Sequence, residues 1–102
     1  MIIRKALPED YCTIDGFLRE IAEQHRQGRP DIFKKDARKY SGEDFDAILA
    51  DENKPVFVAA DDSGERLYAH AFCQIREYPE RLVAFGRKTL FLDDLYVDPS
   101  VR

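Results

Sequence analysis

KTLFLDDLYVDPSVR, residues 88–102, is a run of strand-forming residues that is interrupted by two adjacent carboxylates and ends in a turn. Apolar residues fall on both faces of the run: Leu90, Leu92 and Tyr96 on one, and Phe91, Leu95 and Val97 on the other. A strand that is apolar on both faces is typical of the centre of a sheet covered on both sides. The sequence therefore predicts a central, covered strand at roughly 88–97.

Asp93 and Asp94 lie in the middle of this predicted strand, one on each face if the strand is regular. A carboxylate in a buried strand is costly unless it is paired or takes part in chemistry. Two interpretations stay open. Either these side chains reach the end of the sheet or pair with a cation such as Arg4 or Arg76, or they belong to a functional site.

The rest of the chain shows patterns typical of strands and helices. The predicted elements are a strand at 2–6, a helix from near Pro8 to about Gly28, a second helix after Ser41, and strands at 56–60, from 67 to about 76, and at 88–97. Ser41 followed by Asp44 resembles a capping box. The order β, α, α, β, β, β predicts an α+β domain with an antiparallel central meander.

Length and charge narrow the class of protein. A chain of 102 residues with a net charge of −4 fits one domain, and its acidic balance argues against nucleic-acid binding. The longest uncharged apolar run, 56–60, is too short to span a bilayer, and the N-terminus carries no secretory pattern, so we expect a cytoplasmic protein with no membrane partner. Cys12 and Cys73 lie on predicted apolar faces, where we expect small buried hydrophobes rather than a metal or redox site.

Three segments together resemble the GNAT superfamily of acetyl-CoA-dependent N-acetyltransferases. IIRKALPEDYCTI at 2–14 looks like the family's first strand and the entry to its first helix, and LREIAEQHRQGRPDIFKK at 18–35 is similar to the segment between its first two helices. FLDDLYVDPSVR at 91–102 looks like the fourth strand. The resemblance implies that residues 1–102 form the N-terminal half of an acyl-CoA N-acyltransferase fold, without its pyrophosphate loop and C-terminal half.

The resemblance also implies a reaction, the transfer of an acetyl group from acetyl-CoA to a primary amine of a small molecule or peptide. Main-chain groups of Leu95, Tyr96 and Val97 would hold the pantetheine arm and the acetyl carbonyl, and Arg102 would begin the pyrophosphate loop. Asp93, ahead of Asp94, would take the amine proton through water. Since the rest of that loop is absent from these 102 residues, we expect the chain by itself to bind acetyl-CoA weakly or not at all.

Two further residues are candidates for contact with the acceptor. Phe33 belongs to the segment that lines the acceptor side in the family, and His70 shares a strand face with Tyr68 and Phe72. The cations from Arg26 to Lys39 are interpreted either as a solvated segment between helices or as contacts to substrate or CoA phosphate.

A different class of function stays open beside the enzyme. A fourth strand without a following strand is an apolar edge, which invites pairing with another chain. The alternative is therefore a non-catalytic self-association or partner-binding module, and we expect a homodimer through the exposed fourth strand.

Overall fold

A computed structural model describes residues 1–35 and 38–101 of the chain. The strands are β1 (Ile2–Lys5), β2 (Val56–Ala60), β3 (Leu67–Tyr78) and β4 (Arg87–Val97), the helices are α1 (Tyr11–Gly28) and α2 (Gly42–Ala50), and short 3-10 turns lie at Pro8–Asp10 and Pro99–Val101. The strands form one antiparallel sheet in the order β1-β2-β3-β4. The predicted α+β class and antiparallel meander are confirmed, whereas the assignment to half of a larger domain stays a prediction.

Local hydrogen bonds lie near the start of both helices, but only α2 has a side-chain cap. The helix predicted from Pro8 is divided into a 3-10 turn and α1, and the Asp10 carboxylate in that turn accepts a 2.7 Å hydrogen bond from the Leu7 amide. At α2 the predicted capping box is confirmed, because Ser41 Oγ accepts from the Asp44 amide and Asp44 Oδ2 accepts from the Ser41 amide, each at 3.1 Å. The capping box therefore fixes the start of α2.

The core lies between the two helices and one face of the sheet. Its buried residues include Ile14 and Leu18 of α1 and Phe45 of α2, packed with sheet residues such as Val58 and Phe72. Burial of such side chains is the main stabilising term for a domain of this size. The two helices therefore cover one face of the sheet, and side chains on that face are buried beneath them.

The other face of β4 is open to solvent. Leu90, Leu92 and Leu95 are 62%, 50% and 57% exposed, and they lie opposite Ile75, Cys73 and Ala71 of β3. None of the residues that the structure describes covers this face of β4. The prediction that β4 is a central strand covered on both sides is therefore wrong. Within the described residues, β4 is the last strand in the sheet order and is therefore an edge strand with one apolar face uncovered.

A β-bulge in β4 changes which residues share a face. Phe72 lies opposite Asp94 and Cys73 lies opposite Leu92, so Asp93 is an extra residue with no partner on β3. Directly opposed residues point to the same side of a sheet. The expected alternation through the strand is therefore wrong: Leu92 and Leu95 share the uncovered face, and Asp94 faces the helices.

The β2–β3 register shifts between Ala59 and Ala60, and Leu67 belongs to the buried core. Cys12 is exposed, contrary to expectation, whereas Cys73 is buried and its burial raises the pKa of the thiol. No helix within the described ranges has the length and apolar character needed to cross a membrane.

Candidate functional site

Asp94 is the centre of the candidate site, and the bulge places it there. Its Oδ2 accepts a 2.8 Å hydrogen bond from Lys39 Nζ, and its Oδ1 lies 3.4 Å from His70 Nε2. Only 12% of the Asp94 side chain is exposed. The hydrogen bond with His70, together with the hydrogen bond and charge of Lys39, outweighs burial and lowers the pKa of Asp94. Asp94 is thus an ionised carboxylate held between two nitrogen groups.

His70 lies behind Asp94 inside a cluster of aromatic rings. It is 1% exposed, and its ring centre lies 5.2 Å from that of Phe72, 5.8 Å from Tyr96 and 6.0 Å from Phe17. Its Nδ1 is buried and has no hydrogen-bond partner among the described residues. The His70 ring is buried in this structure, and the prediction that it contacts substrate stays a prediction.

Tyr96 ties β4 to α1 through its side chain. Its ring stacks on Phe17 with centres 4.4 Å apart, and its hydroxyl donates a hydrogen bond to the Glu20 carboxylate. Tyr96 itself is 4% exposed. The side chain therefore serves the packing of the helix on the strand, and any role in holding a cofactor falls to the main chain, as the resemblance implied.

Lys39 and Tyr40, in the segment between α1 and α2, form the side of the site that faces Asp94 and Phe72. Tyr40 stacks on Phe72 at 5.3 Å between centres, and its carbonyl oxygen accepts a 2.8 Å hydrogen bond from the Tyr11 hydroxyl. Lys39 Nζ lies 5.4 Å from the centre of the Tyr40 ring. Burial opposes the charge of Lys39, but its hydrogen bond and charge interaction with Asp94 raise its pKa. Lys39 is thus an ammonium bound by a carboxylate and an aromatic face.

The cation that pairs with the β4 carboxylates is not one of those predicted. Arg4 pairs with Asp10, with Nη1 2.8 Å from Oδ2, and Arg76 lies over the Phe91 ring at 3.9 Å from its centre. The sequence showed a basic segment up to Lys39 but carried no signal that joins it to Asp94, 55 residues away. Tyr40 was missed for the same reason.

The remaining predicted residues of β4 lie around Asp94. Asp93 is exposed at the bulge, Leu95 is on the uncovered face, and Val97 is partly buried opposite Ala69. The roles assigned to them stay predictions. In the bulge, Asp93 and Asp94 occupy different environments, because only Asp94 contacts Lys39 and His70.

Two predicted residues lie elsewhere. Phe33 is 42% exposed and packs its ring against His25 near the end of α1, at 5.3 Å between centres, rather than in the ring cluster of His70. Arg102 lies outside the described residues. Within the part of the chain that the structure describes, no group of three or more His, Cys, Asp or Glu side chains is arranged to hold a metal ion.

Comparisons with known proteins identify the fold. No protein-family model and no curated protein matches the sequence. A crystal structure of a point mutant of the BH1408 protein from Bacillus halodurans matches with a TM-score of 0.84 and 28% identity, covering 100% of this chain and 64% of that one. The chain therefore spans less than two thirds of the length of that protein.

Two acetyltransferases share the same architecture. An acetyltransferase from Vibrio fischeri matches with a TM-score of 0.71 and 20% identity, over 100% of this chain and 73% of that one. The aminoglycoside antibiotic 6'-N-acetyltransferase AAC(6')-IG from Acinetobacter haemolyticus matches with a TM-score of 0.60 and 17% identity, over 100% and 60%. The chain therefore has a fold similar to that of acetyltransferases.

Proposed function

We propose that this chain supplies the acceptor side of an N-acetyltransferase of the GNAT kind, which transfers the acetyl group of acetyl-CoA to a primary amine of a small molecule or peptide. The observation that carries the proposal is the Asp94 carboxylate. It faces the helix side of an edge strand, is largely buried, and already holds an ammonium group at 2.8 Å. The similarity to acetyltransferase folds supports the reaction type.

In the proposed reaction, Asp94 holds the acceptor ammonium and accepts its proton through a water molecule. The neutral amine nitrogen then attacks the thioester carbonyl carbon, so that a C–N bond forms and the C–S bond breaks. The CoA thiolate leaves and takes up the second proton, which the nitrogen loses as the amide forms. Main-chain groups of Leu95, Tyr96 and Val97 would hold the acetyl carbonyl and pantetheine, as the family resemblance implies.

The low pKa of Asp94 makes it a better ammonium-binding group than a base while Lys39 is in place. The hydrogen bond and charge of Lys39 are two of the causes of that low pKa, so their removal would raise the proton affinity of the carboxylate. His70 would stay behind Asp94 and keep its orientation. We therefore assign Asp94 the leading role in proton transfer, with Asp93 as the alternative at the bulge.

Binding of acetyl-CoA would also need backbone amides of a pyrophosphate loop, which the described residues do not include. The resemblance implies that a pyrophosphate loop begins at Arg102, and the Bacillus halodurans protein is longer than this chain. Backbone amides of such loops bind phosphate because they present several N–H groups to one anion. We expect residues 1–102 alone to bind acetyl-CoA weakly, and a longer polypeptide that carries such a loop after these residues to bind it at micromolar concentrations.

The test begins with calorimetric titration of acetyl-CoA into both polypeptides, followed by release of the CoA thiol in the presence of a panel of primary amines. Asp94→Asn is expected to lower kcat/KM by about 10²–10⁴-fold, the usual contribution of a positioned acid or base. Asp93→Asn is the matched control and is expected to lower it by less than about 10-fold. The proposal is overturned if neither polypeptide releases CoA with any amine, and the assignment of Asp94 is overturned if Asp93→Asn has the larger effect.

A second candidate function is favoured by the exposed face and edge of β4. Leu90, Leu92 and Leu95 place apolar surface beside a strand edge that carries no further strand among the described residues. We propose that a second copy of this chain pairs with β4, since an unprotected apolar edge is a template for strand addition. Such a chain would be a self-association module.

Light scattering after gel filtration tests this pairing. The wild-type chain is expected to elute as a dimer at high concentration, and Leu92→Lys is expected to return it to a monomer because a charge on this face opposes pairing. Glu52→Lys, in the exposed turn before β2, is the control for a general effect of charge. A wild-type chain that remains a monomer at millimolar concentration would exclude the dimer.

A further inference from the structure

We propose that Lys39 is a tethered occupant of the acceptor site, and that the acceptor of this protein is a primary alkyl amine that displaces Lys39 from Asp94. This inference rests on the proposed function, because it assigns to Asp94 the binding of the acceptor ammonium. It adds to the proposed primary amine an alkyl chain and a built-in competitor, neither of which follows from the fold.

The chemistry of Lys39 defines the ligand. Its side chain ends in a primary ammonium on a four-carbon chain, and this ammonium donates to Asp94 Oδ2 at 2.8 Å while lying 5.4 Å from the centre of the Tyr40 ring. A carboxylate and an aromatic face are two groups that recognise an ammonium ion. Any ligand that replaces Lys39 without loss must therefore also present an ammonium on a flexible aliphatic chain.

The site keeps its shape when Lys39 leaves. Asp94 retains His70 against its other oxygen, and Tyr40 is held by stacking on Phe72 and by the hydrogen bond from Tyr11 to its carbonyl. Lys39 itself is half exposed and lies at 38–41, where the chain forms neither helix nor strand. Rotation of the Lys39 side chain is enough to vacate the site, so displacement needs no movement of the helices.

Lys39 and Tyr40 also line an open cavity of about 500 Å³, together with residues that include Ile48 and Asp51. Ile48 offers an apolar surface to a methylene chain, and Asp51 offers a second carboxylate. The cavity therefore suits the body of an alkyl amine whose ammonium sits on Asp94.

A tethered competitor weakens the measured affinity of the free ligand. When the competent state is only a fraction of the population, the apparent dissociation constant equals the intrinsic one divided by that fraction. If Lys39 occupies Asp94 about nine-tenths of the time, its removal tightens amine binding about 10-fold. This gain is the quantity that the experiment measures.

The probe is n-butylamine, titrated into the 102-residue chain in phosphate buffer and followed by NMR signals of the His70 and Tyr40 rings. Lys39→Met keeps the length and apolar part of the side chain but removes the ammonium. We expect it to bind n-butylamine about 10-fold more tightly than the wild type. Lys39→Arg, which keeps the positive charge, is expected to bind with wild-type affinity.

Three controls separate the proposed site from nonspecific effects. Lys5→Met removes an exposed ammonium from β1, away from the residues that line this cavity, and is expected to leave the affinity unchanged. The double variant Lys39→Met, Asp94→Asn is expected to lose the tighter binding of n-butylamine seen in Lys39→Met. We expect n-butanol, which carries no ammonium, to bind neither the single nor the double variant. Circular dichroism and NMR dispersion establish that each variant is folded, and Lys39→Gln replaces any Lys39→Met chain that is not.

The inference is overturned if the charge-removing variants at Lys39 bind n-butylamine no more tightly than the wild type, or if the gain persists without the Asp94 carboxylate. The assay uses no acetyl-CoA. A gain in amine affinity without CoA release by any polypeptide containing residues 1–102 would keep the ammonium site and reject the acetyl transfer. CoA release without that gain would keep the enzyme and reject the role of Lys39.

Discussion

Replacing Asp10 by Ala is expected to destabilise the fold by about 2–4 kcal/mol at neutral pH. Arg4 donates to this carboxylate from Nη1 at 2.8 Å and from Nη2 at 3.1 Å, and the Leu7 amide donates at 2.7 Å. One hydrogen bond to a charged group stabilises by about 1.5–3 kcal/mol, and loss of one partner from a fully buried ion pair costs about 3–5 kcal/mol. The Arg4 side chain is 22% exposed, so it recovers part of its hydration and the loss falls below the upper limit.

Urea unfolding of the wild type and Asp10→Ala at several pH values measures this loss. Burial opposes the charge of Asp10, but the hydrogen bonds from Arg4 and the Leu7 amide lower its pKa in the folded state. A lowered pKa gives stability that is present above the unfolded pKa of about 3.9 and is lost as the pH falls through the lower folded value. The two chains should therefore converge in stability under acid conditions.

Asp62→Ala is the matched control for this experiment. Asp62 also accepts from a cation, the N-terminal ammonium at 2.6 Å, but its side chain is 89% exposed, so we expect no measurable change. The reasoning is refuted if Asp10→Ala costs no more than Asp62→Ala at pH 7, or if the difference from wild type does not shrink in acid.

Three further outcomes follow from packing, capping and charge. Phe45→Ala is expected to cost about 3–5 kcal/mol in urea unfolding, because this ring is 1% exposed in the core, whereas Leu90→Ala, on a side chain that is 62% exposed, should cost far less. Ser41→Ala should cost about 1 kcal/mol by the same measurement, with Thr at this position restoring most of it, because the hydroxyl caps α2. Because the pKa of Asp94 is lowered in the folded state, the wild type should have a higher thermal stability than Asp94→Asn near pH 7. This difference in stability should vanish as the pH falls through the folded pKa of Asp94. A difference that grows in acid would contradict the direction of the pKa shift.

Local features of the chain could be predicted from neighbouring residues. The capping box at Ser41 was predicted because its two hydrogen bonds join residues three apart, and their formation depends on little else. The antiparallel meander followed from strand patterns joined by turn residues. The α+β class of the fold could therefore be predicted from the sequence. The sequence also resembled a family of acetyltransferases, and the structural comparisons support a similarity to acetyltransferase folds.

The site itself depended on contacts between distant residues. The sequence marked Asp93 and Asp94 as unusual but gave no means to tell which would face the helices, because a bulge shifts the alternation by one residue and leaves no signal of its own. Arg4 and Arg76 were plausible partners by charge alone. Only the packed structure assigned them to Asp10 and Phe91 and placed Lys39 on the carboxylate.

The sequence by itself determined the order of strands and helices and the presence of two carboxylates in the last strand, since these depend on periodicity and on local hydrogen bonds. Tertiary structure alone decided which apolar residues of β4 share its uncovered face, that Asp94 lies on the helix side, and that Lys39 and His70 meet it. The physical reason is that register and burial are properties of pairs of elements. A shift of one residue reverses every side chain that follows it, and no single segment encodes its partner's position.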